Sequence, residues 1–575
     1  MPEGSIVLFV IVPLAGSFFT LLEKIWPDRR ITKPAVVLVF FSCLLFLLFY
    51  AKPIFQGEEY RIVLGNWGGP IGIIQAMDGL AWVGLLFVYV VTFFALIFAF
   101  SDKTYDSSFY FFSLILTSGM AGVILAADLF NLFVCLEIVG ISAYILIAYA
   151  KKERAILASF KYLLLSSLGI SVFLLGIFGI YRNTGSLLFS GMAEYFSSPA
   201  GSARETPMIL AALIAGLGVR TAFIPFHTWL PEAHSQAPHP VSALLSGVVI
   251  KVTFIAVWRL AVTSGSMEVR VFLLWSGTIT ALVGVFWALM QKEIKVLLAW
   301  HSVSQMGYII AGFGAGTLLS ISGSLFHMLN HALFKSLLFL SLGMVIILTG
   351  EYSLKRIRGL GRKHPLLALV FAFGALSIAG IPPLNGFVSK KLIMVGLKEH
   401  PVAYWSLWIT SIGTLASFTK LSALFWKKQE KMSLSHLAPL EEADLQENSA
   451  EEVSQNSGME KTGLNRVAAF FPLVVLSIFC LITGVFGRQI FEMIHVLIFR
   501  QSPSRVFNPW TMENLWETII VVFLGVFSYF LVTSRRGEVF QGKIRSLRLS
   551  LDWTLLFLLA GFIFLGLTVF LLPRS

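Results

Sequence analysis

Residues 326–337 read FHMLNHALFKSL, and the apolar run continues through LFLSLGMVIIL. His327, His331 and Lys335 stand four residues apart, so on a helix each step turns about 40° past a full revolution and climbs about 6 Å. The three make one polar stripe roughly 12 Å long. All three take up protons, and ionisable groups at membrane depth are costly and face a bundle interior or a wet cavity. Such a stripe suits a relay in which protons hop between side chains and trapped water. A set of hydrogen-bonded packing residues is the plainer alternative. Metal chelation by the HxxxH spacing is disfavoured, because there is no glutamate as in HExxH and Lys335 adds positive charge one turn away.

Other ionisable residues lie in equally apolar surroundings. Lys251 sits in the middle of LLSGVVIKVTFIAVW, and Glu137 lies deep in LFVCLEIVGISAY. Arg220 belongs to LGVRTAFIPFHTWLPEA, and Lys390 follows a proline break in LSIAGIPPLNGFVSKK, with Lys391 on a different face. Lys161, Arg259 and Lys420 are near the ends of apolar runs, where long side chains reach the headgroups. Asp78 and Asp128 are near run starts, where a cap or interface role is as good a reading as chemistry. His227, Glu232, His234 and His239 cluster in HTWLPEAHSQAPHP; clustered histidines can hold metal, but the irregular spacing favours a loop that orders the preceding helix. Cys43, Cys135 and Cys480 all lie in apolar runs, with no disulfide or metal spacing. No GxGxxG, P-loop or cysteine cluster is present, so neither a cofactor nor a metal is expected on this chain.

The elements that carry these residues follow from composition. The chain has 575 residues, 57% of them hydrophobic and 13% charged, against about 25% charged in a soluble domain; its mean hydropathy is +0.82. This is an all-α polytopic membrane protein in the lipid bilayer. The formal charge of +12 does not point to nucleic acid, because the basic residues sit mainly in short loops. With about 20 apolar residues needed per span, sixteen spans are expected. They lie near 4–22, 34–51, 78–100, 107–125, 129–149, 157–181, 207–224, 240–262, 270–290, 296–314, 318–349, 366–397, 403–426, 467–487, 514–533 and 549–572.

The N-terminus lacks a basic leader, and Lys24, Arg29 and Arg30 follow the first span, so the N-terminus is expected outside. Alternating the spans from there puts 25 loop lysines and arginines inside and 10 outside, the bias that positive-inside sorting requires. Residues 427–466, containing LEEADLQENSAEEVSQNSGMEK, read as an acidic inside linker. Prolines interrupt the seventh span (Pro225) and the twelfth (Pro382, Pro383). They are five spans apart, so spans four to eight and nine to thirteen form an inverted repeat with one broken helix in each half, the sequence pointer to a transporter ion site. The expected division is 1–105, three N-terminal helices; 106–265, the first five-helix repeat; 266–426, its inverted partner; 427–466, the linker; and 467–575, C-terminal helices that bind partners rather than conduct ions.

PFHTWLPEAHSQAPHPVSALLSGVVIK, LLAWHSVSQMGYI, FHMLNHALFKSLLFL and GIPPLNGFVSKK resemble the antiporter-like subunits of respiratory complex I and the Mrp-type sodium/proton antiporters. The likeness covers roughly residues 75–425 and looks closest to the Mrp D-type and complex I M/N-type subunits. It implies fourteen core helices with an inverted five-helix repeat. It implies ion-path roles for Glu137, Lys251, His327, His331, Lys335 and Lys390. Arg220 stands where the family usually has lysine in GxKxA. Lysine can lose its proton when desolvated and arginine cannot, so Arg220 reads as a fixed counter-charge for Glu137. The resemblance implies a proton-translocating subunit, sodium/proton antiport included, in a multisubunit complex of a prokaryotic cytoplasmic membrane. Its partners would be other membrane subunits, with redox centres of an NADH:quinone oxidoreductase-type translocase on those partners. A hydrogenase-linked complex, a carbon-dioxide or bicarbonate-uptake complex and a transport-silent scaffold are the alternatives.

Overall fold

Helices occupy fifteen of the sixteen apolar ranges in the computed structural model, which describes residues 3–65, 72–202, 205–426, 465–503 and 507–534 together with 537, 539, 541 and 561. Apart from Gly561, the sixteenth range lies outside the described residues, as do residues 427–464 of the linker. Inside a bilayer every backbone N–H and C=O must be satisfied within the segment, which a helix does. Twelve described helices are long and apolar enough to cross a membrane, and Thr206–Thr221 and Pro365–Ala379 are shorter apolar ones.

Sequence signals set the helix ends. Asp78 caps the third span by accepting from Ala81 N at 2.7 Å, and Asp128 caps the fifth through Asn131 N at 2.7 Å. Each aspartate satisfies a backbone donor that has no partner within its helix. Gly185, Gly265 and Gly350 close the sixth, eighth and eleventh spans in the left-handed conformation, which costs glycine no steric penalty.

The eighth span, His239–Ser264, is buried along most of its length, with Val262 near its end half exposed, and the tenth, Ile294–Gly314, is nearly all buried. Against them pack the third (Gly79–Ala99) and eleventh (Leu318–Thr349), while the first two and the fifteenth (Met512–Thr533) form the rim. Small residues let the interior helices close up, as they do where lipid supplies no hydrophobic drive. A Cβ at Gly284 on the ninth span would lie 2.6 Å from Ser304 N on the tenth.

Between the second and third spans the chain forms an antiparallel hairpin, Tyr60–Leu64 with Ile73–Met77, in register Tyr60 to Met77. Two short helices, Phe189–Ser197 and Gly487–Phe499, lie in other connections. These three elements are too short for a span rule to find.

The two broken spans repeat one sequence of events. Thr206–Thr221 ends at Ala222, which is left-handed, and three residues on comes the cis Ile224–Pro225 bond; Phe226 N then donates to Phe223 O at 2.6 Å. Pro365–Ala379 ends at left-handed Gly380, three residues on comes the cis Pro382–Pro383 bond, and Leu384 N donates to Ile381 O at 3.1 Å. After the breaks the chain resumes as Leu230–Gln236 and Asn385–Gly396. Gly484 of the fourteenth span abuts the second break at Pro383 and Leu384, and Gly561 abuts the first at Pro225 and Phe226.

Candidate ion-translocation site

The seventh span delivers Arg220 in its last turn, two residues before Ala222. The guanidinium is 1% exposed; it pairs with Glu137 of the fifth span and also donates to Leu136 O. Room for it comes from Gly140, where a Cβ would lie 2.7 Å from Arg220 Nη1. Glu137 keeps 34% of its side chain open, on a helix face that also exposes Phe130, Val134, Ile138 and Ile141.

Lys251 lies just after a stretch of π-helix, Leu245–Val249, in the eighth span. Such stretches loosen the regular carbonyl ladder and often mark functional positions. Here Lys251 Nζ donates to Ser246 O, and Ser246 Oγ meets Ser302 Oγ of the tenth span at 2.7 Å. The side chain of Lys251 is completely buried. Gly247 allows this close approach, since a Cβ there would run into Ser336 Oγ of the eleventh span.

On the eleventh span, His327, His331 and Lys335 are all fully buried. The two imidazoles lie nearly parallel, 10° apart with centroids 6.3 Å apart. His327 bridges two helices, with Nδ1 2.9 Å from Ser389 Oγ and Nε2 3.1 Å from Gln305 Oε1. Neither ring nitrogen of His331 has a hydrogen-bond partner among the described residues. Buried polar atoms are nearly always paired, so no protein hydrogen bond among the described residues accounts for the burial of His331. Lys335 Nζ donates to Leu298 O at 2.6 Å. Next to Ser389, Lys390 Nζ donates to Ile378 O at 2.7 Å and lies 4.9 Å from the centroid of the Tyr308 ring.

The structure therefore brings Glu137 to Arg220, and it brings His327, through Ser389, beside Lys390. Lys251 and Lys335 each hold a carbonyl oxygen near the middle of the bundle. Gln305, Tyr308 and Ser389 join the site, and sequence reasoning misses them. For Gln305 the signal is the polar run HSVSQ in the tenth span, the least hydropathic of the twelve; Tyr308 and Ser389 have no such signal.

Lys295 is a correction. Alternating the spans places it among inside-loop cations, yet it is only 5% exposed and donates to Ala237 O. It lies at the wall of a cavity of about 870 Å³ that also touches Lys152, His239 and Glu293. Lys161, Arg259 and Lys420, near the ends of their spans, each have a partner within the protein. Lys161 pairs with Glu232 at 2.7 Å. Arg259 holds both oxygens of Asp78, at 3.0 and 3.1 Å. Lys420 donates to Leu289 O and Gln291 O.

In the loop after the seventh span, Glu232 serves that ion pair and His234 is buried against Trp229 and Phe339. His227 lies beside Trp300. Among the described residues no group of three or more His, Cys, Asp and Glu is placed to hold a metal ion.

Paired broken helices flanking a buried line of lysines and histidines define a multi-pass membrane protein of the antiporter-like type. Residues 126–418 match the family described as NADH:quinone oxidoreductase/Mrp antiporter, TM, and the chain belongs to that family. It is 32% identical over 454 residues to the N-type subunit of the NADH-quinone oxidoreductase of Desulforudis audaxviator, a match covering 76% of this chain and 87% of that protein. It is 30% identical over 444 residues to the D-type subunit of the Na(+)/H(+) antiporter of Alkalihalophilus pseudofirmus, covering 74% and 88%. In fold it matches a chain of the Mrp complex from Dietzia sp. with a TM-score of 0.76 at 23% identity, over 91% of this chain and 100% of that one. It also matches a chain of the membrane-bound sulfane sulfur reductase, an archaeal respiratory membrane complex, with a TM-score of 0.74 at 26% identity, over 92% and 99%.

Proposed function

We propose that this chain is an ion-translocating membrane subunit of a multisubunit complex. Protons pass from the Glu137–Arg220 pair through water to Lys251, then along the stripe formed by His327, His331 and Lys335, and out by Lys390. The carrying observation is the fully buried set Lys251, His327, His331 and Lys335 between two helices broken in the same way. Charges at this depth are retained where they mark an ion pathway. Lys251 and Lys335 rest on carbonyl oxygens rather than on carboxylates, so each can give up its proton without leaving an unpaired anion. Arg220 acts as a fixed charge that holds the Glu137 carboxylate in place, because a guanidinium does not titrate.

The halves 106–265 and 266–426 are the two repeat units, each contributing one break. The N-terminus lies outside a prokaryotic cytoplasmic membrane, which the lysine and arginine bias of the loops supports. Other membrane subunits bind the open face around Glu137. Redox chemistry, where the complex has any, resides on them. Sodium as counter-ion rests on the antiporter subunits among the relatives.

The test is proton flux in liposomes carrying the whole complex, with and without Lys251→Ala. Loss of coupled flux from a complex that still inserts and assembles is expected, since removing a buried charge makes insertion easier. Near-normal flux takes Lys251 out of the path and ends this reading.

A further inference from the structure

The fifteenth span, Met512–Thr533, lies beyond the residues that match the family. It packs along the thirteenth, Pro401–Trp426. Six residues into it stands Glu517, one turn after Glu513 and followed by a long apolar run. Its carboxylate pairs with Lys391, and Oε1 accepts from Tyr404 Oη at 2.9 Å. Glu517 and Lys391 share a cavity of about 40 Å³ with Lys390, Gly380 and Ser411. About 10–15 Å³ is enough to hold a water, so a water-bridged proton transfer from Lys390 to this acid is sterically open. The charged and titratable groups around Glu517 are Lys390 and Lys391 from the twelfth span, Tyr404 from the thirteenth and Glu513 from its own helix.

We infer that Glu517 is a proton-accepting group at the outer mouth of the path, supplied by the C-terminal addition, with Lys391 as its counter-ion. The inference rests on the proposed translocation reading. The Lys390 ammonium gives a proton through water to the Glu517 carboxylate, leaving an amine and a carboxylic acid. The acid then releases the proton to the outer solution, and the carboxylate returns to its pair with Lys391. This revises the expectation that the spans after the linker serve partners alone.

Glu517→Gln removes the titrating group at nearly unchanged shape; its carbonyl oxygen still accepts from one of Lys391 and Tyr404, while the amide nitrogen cannot accept from the other. Proton flux is measured against outer pH in liposomes with the complete complex, beside Glu517→Asp and Lys251→Ala. Glu517→Gln is expected to slow flux about 100-fold, the low end for losing a positioned proton carrier, and to flatten the dependence on outer pH. Glu517→Asp is expected to keep the flux with a displaced profile. A Glu517→Gln complex with the native rate and profile, while Lys251→Ala still abolishes flux, overturns this inference and leaves the translocation reading intact. Flux that ignores Lys251→Ala ends both. Should Glu517→Gln fail to assemble, Glu517→Asp decides: an undisplaced profile refutes the role.

Discussion

Arg220 offers the sharpest perturbation, because its partners are few and named. Arg220→Ala removes the ion pair to Glu137 and the bond to Leu136 O together. Breaking a buried pair from one side costs roughly 3–5 kcal/mol, mostly from the partner left behind. Glu137 keeps 34% of its side chain open, so part of that penalty is relieved, and the low end, about 3 kcal/mol, applies. That is about two orders of magnitude in the folding equilibrium, readable as a lowered thermal midpoint of the purified complex. Arg220→Lys keeps the charge but replaces a planar fork with a single ammonium. Losing one of the two simultaneous contacts costs about 1 kcal/mol. Transport by Arg220→Lys should be retained or increased, and it should acquire a new pH dependence because the lysine can lose its proton. Transport by Arg220→Ala should fall. Flux against pH is measured for all three proteins in liposomes. Identical profiles would show that Arg220 and Glu137 are not the coupling pair, and the inlet half of the path would have to be redrawn.

Gly247→Val should force the eighth span away from Ser336 at a cost of about 1–3 kcal/mol; both the thermal midpoint and proton flux should drop, and native flux would mean that the position of Lys251 is not critical. Trp229→Phe removes the N–H that Val219 O accepts at 2.6 Å across the first break, leaving that buried carbonyl short of a partner. A loss of about 1–2 kcal/mol is expected, and an unchanged thermal midpoint would show that the indole does not hold the break.

Composition made the helices legible. A bilayer demands long apolar helical segments, and their positions follow from where polar residues interrupt the run. The breaks were legible because proline removes a donor and ends a helix. The stripe of His327, His331 and Lys335 was legible because its spacing is a property of one helix. Contacts that cross helices were not. Nothing near Ser389 or Gln305 announces that both reach His327, since that depends on how three helices are rotated against one another. Lys295 looked like a loop cation because its neighbours Lys292 and Glu293 are polar, yet the chain turns inward within two residues. The hairpin and the helix Gly487–Phe499, whose His495 reaches Ser322 Oγ at 2.7 Å, are half-polar and short, so hydropathy passes over them.

The π-helical stretch Leu245–Val249 has a consequence for how this chain can vary. An α-helix advances about 100° per residue, whereas a π turn holds one residue more per turn and so stores an offset of phase. Deleting a single residue there would let the segment relax into a continuous α-helix that sweeps about the same angle, since the π turn is what takes up the additional residue. Lys251 would stay deep in the span and keep its direction, whereas the same deletion in a wholly α-helical stretch would rotate everything beyond it by about 100°. A relative one residue shorter between His239 and Lys251 can therefore still aim its lysine the same way, provided its helix is α throughout. At this point a change of length need not be a change of direction.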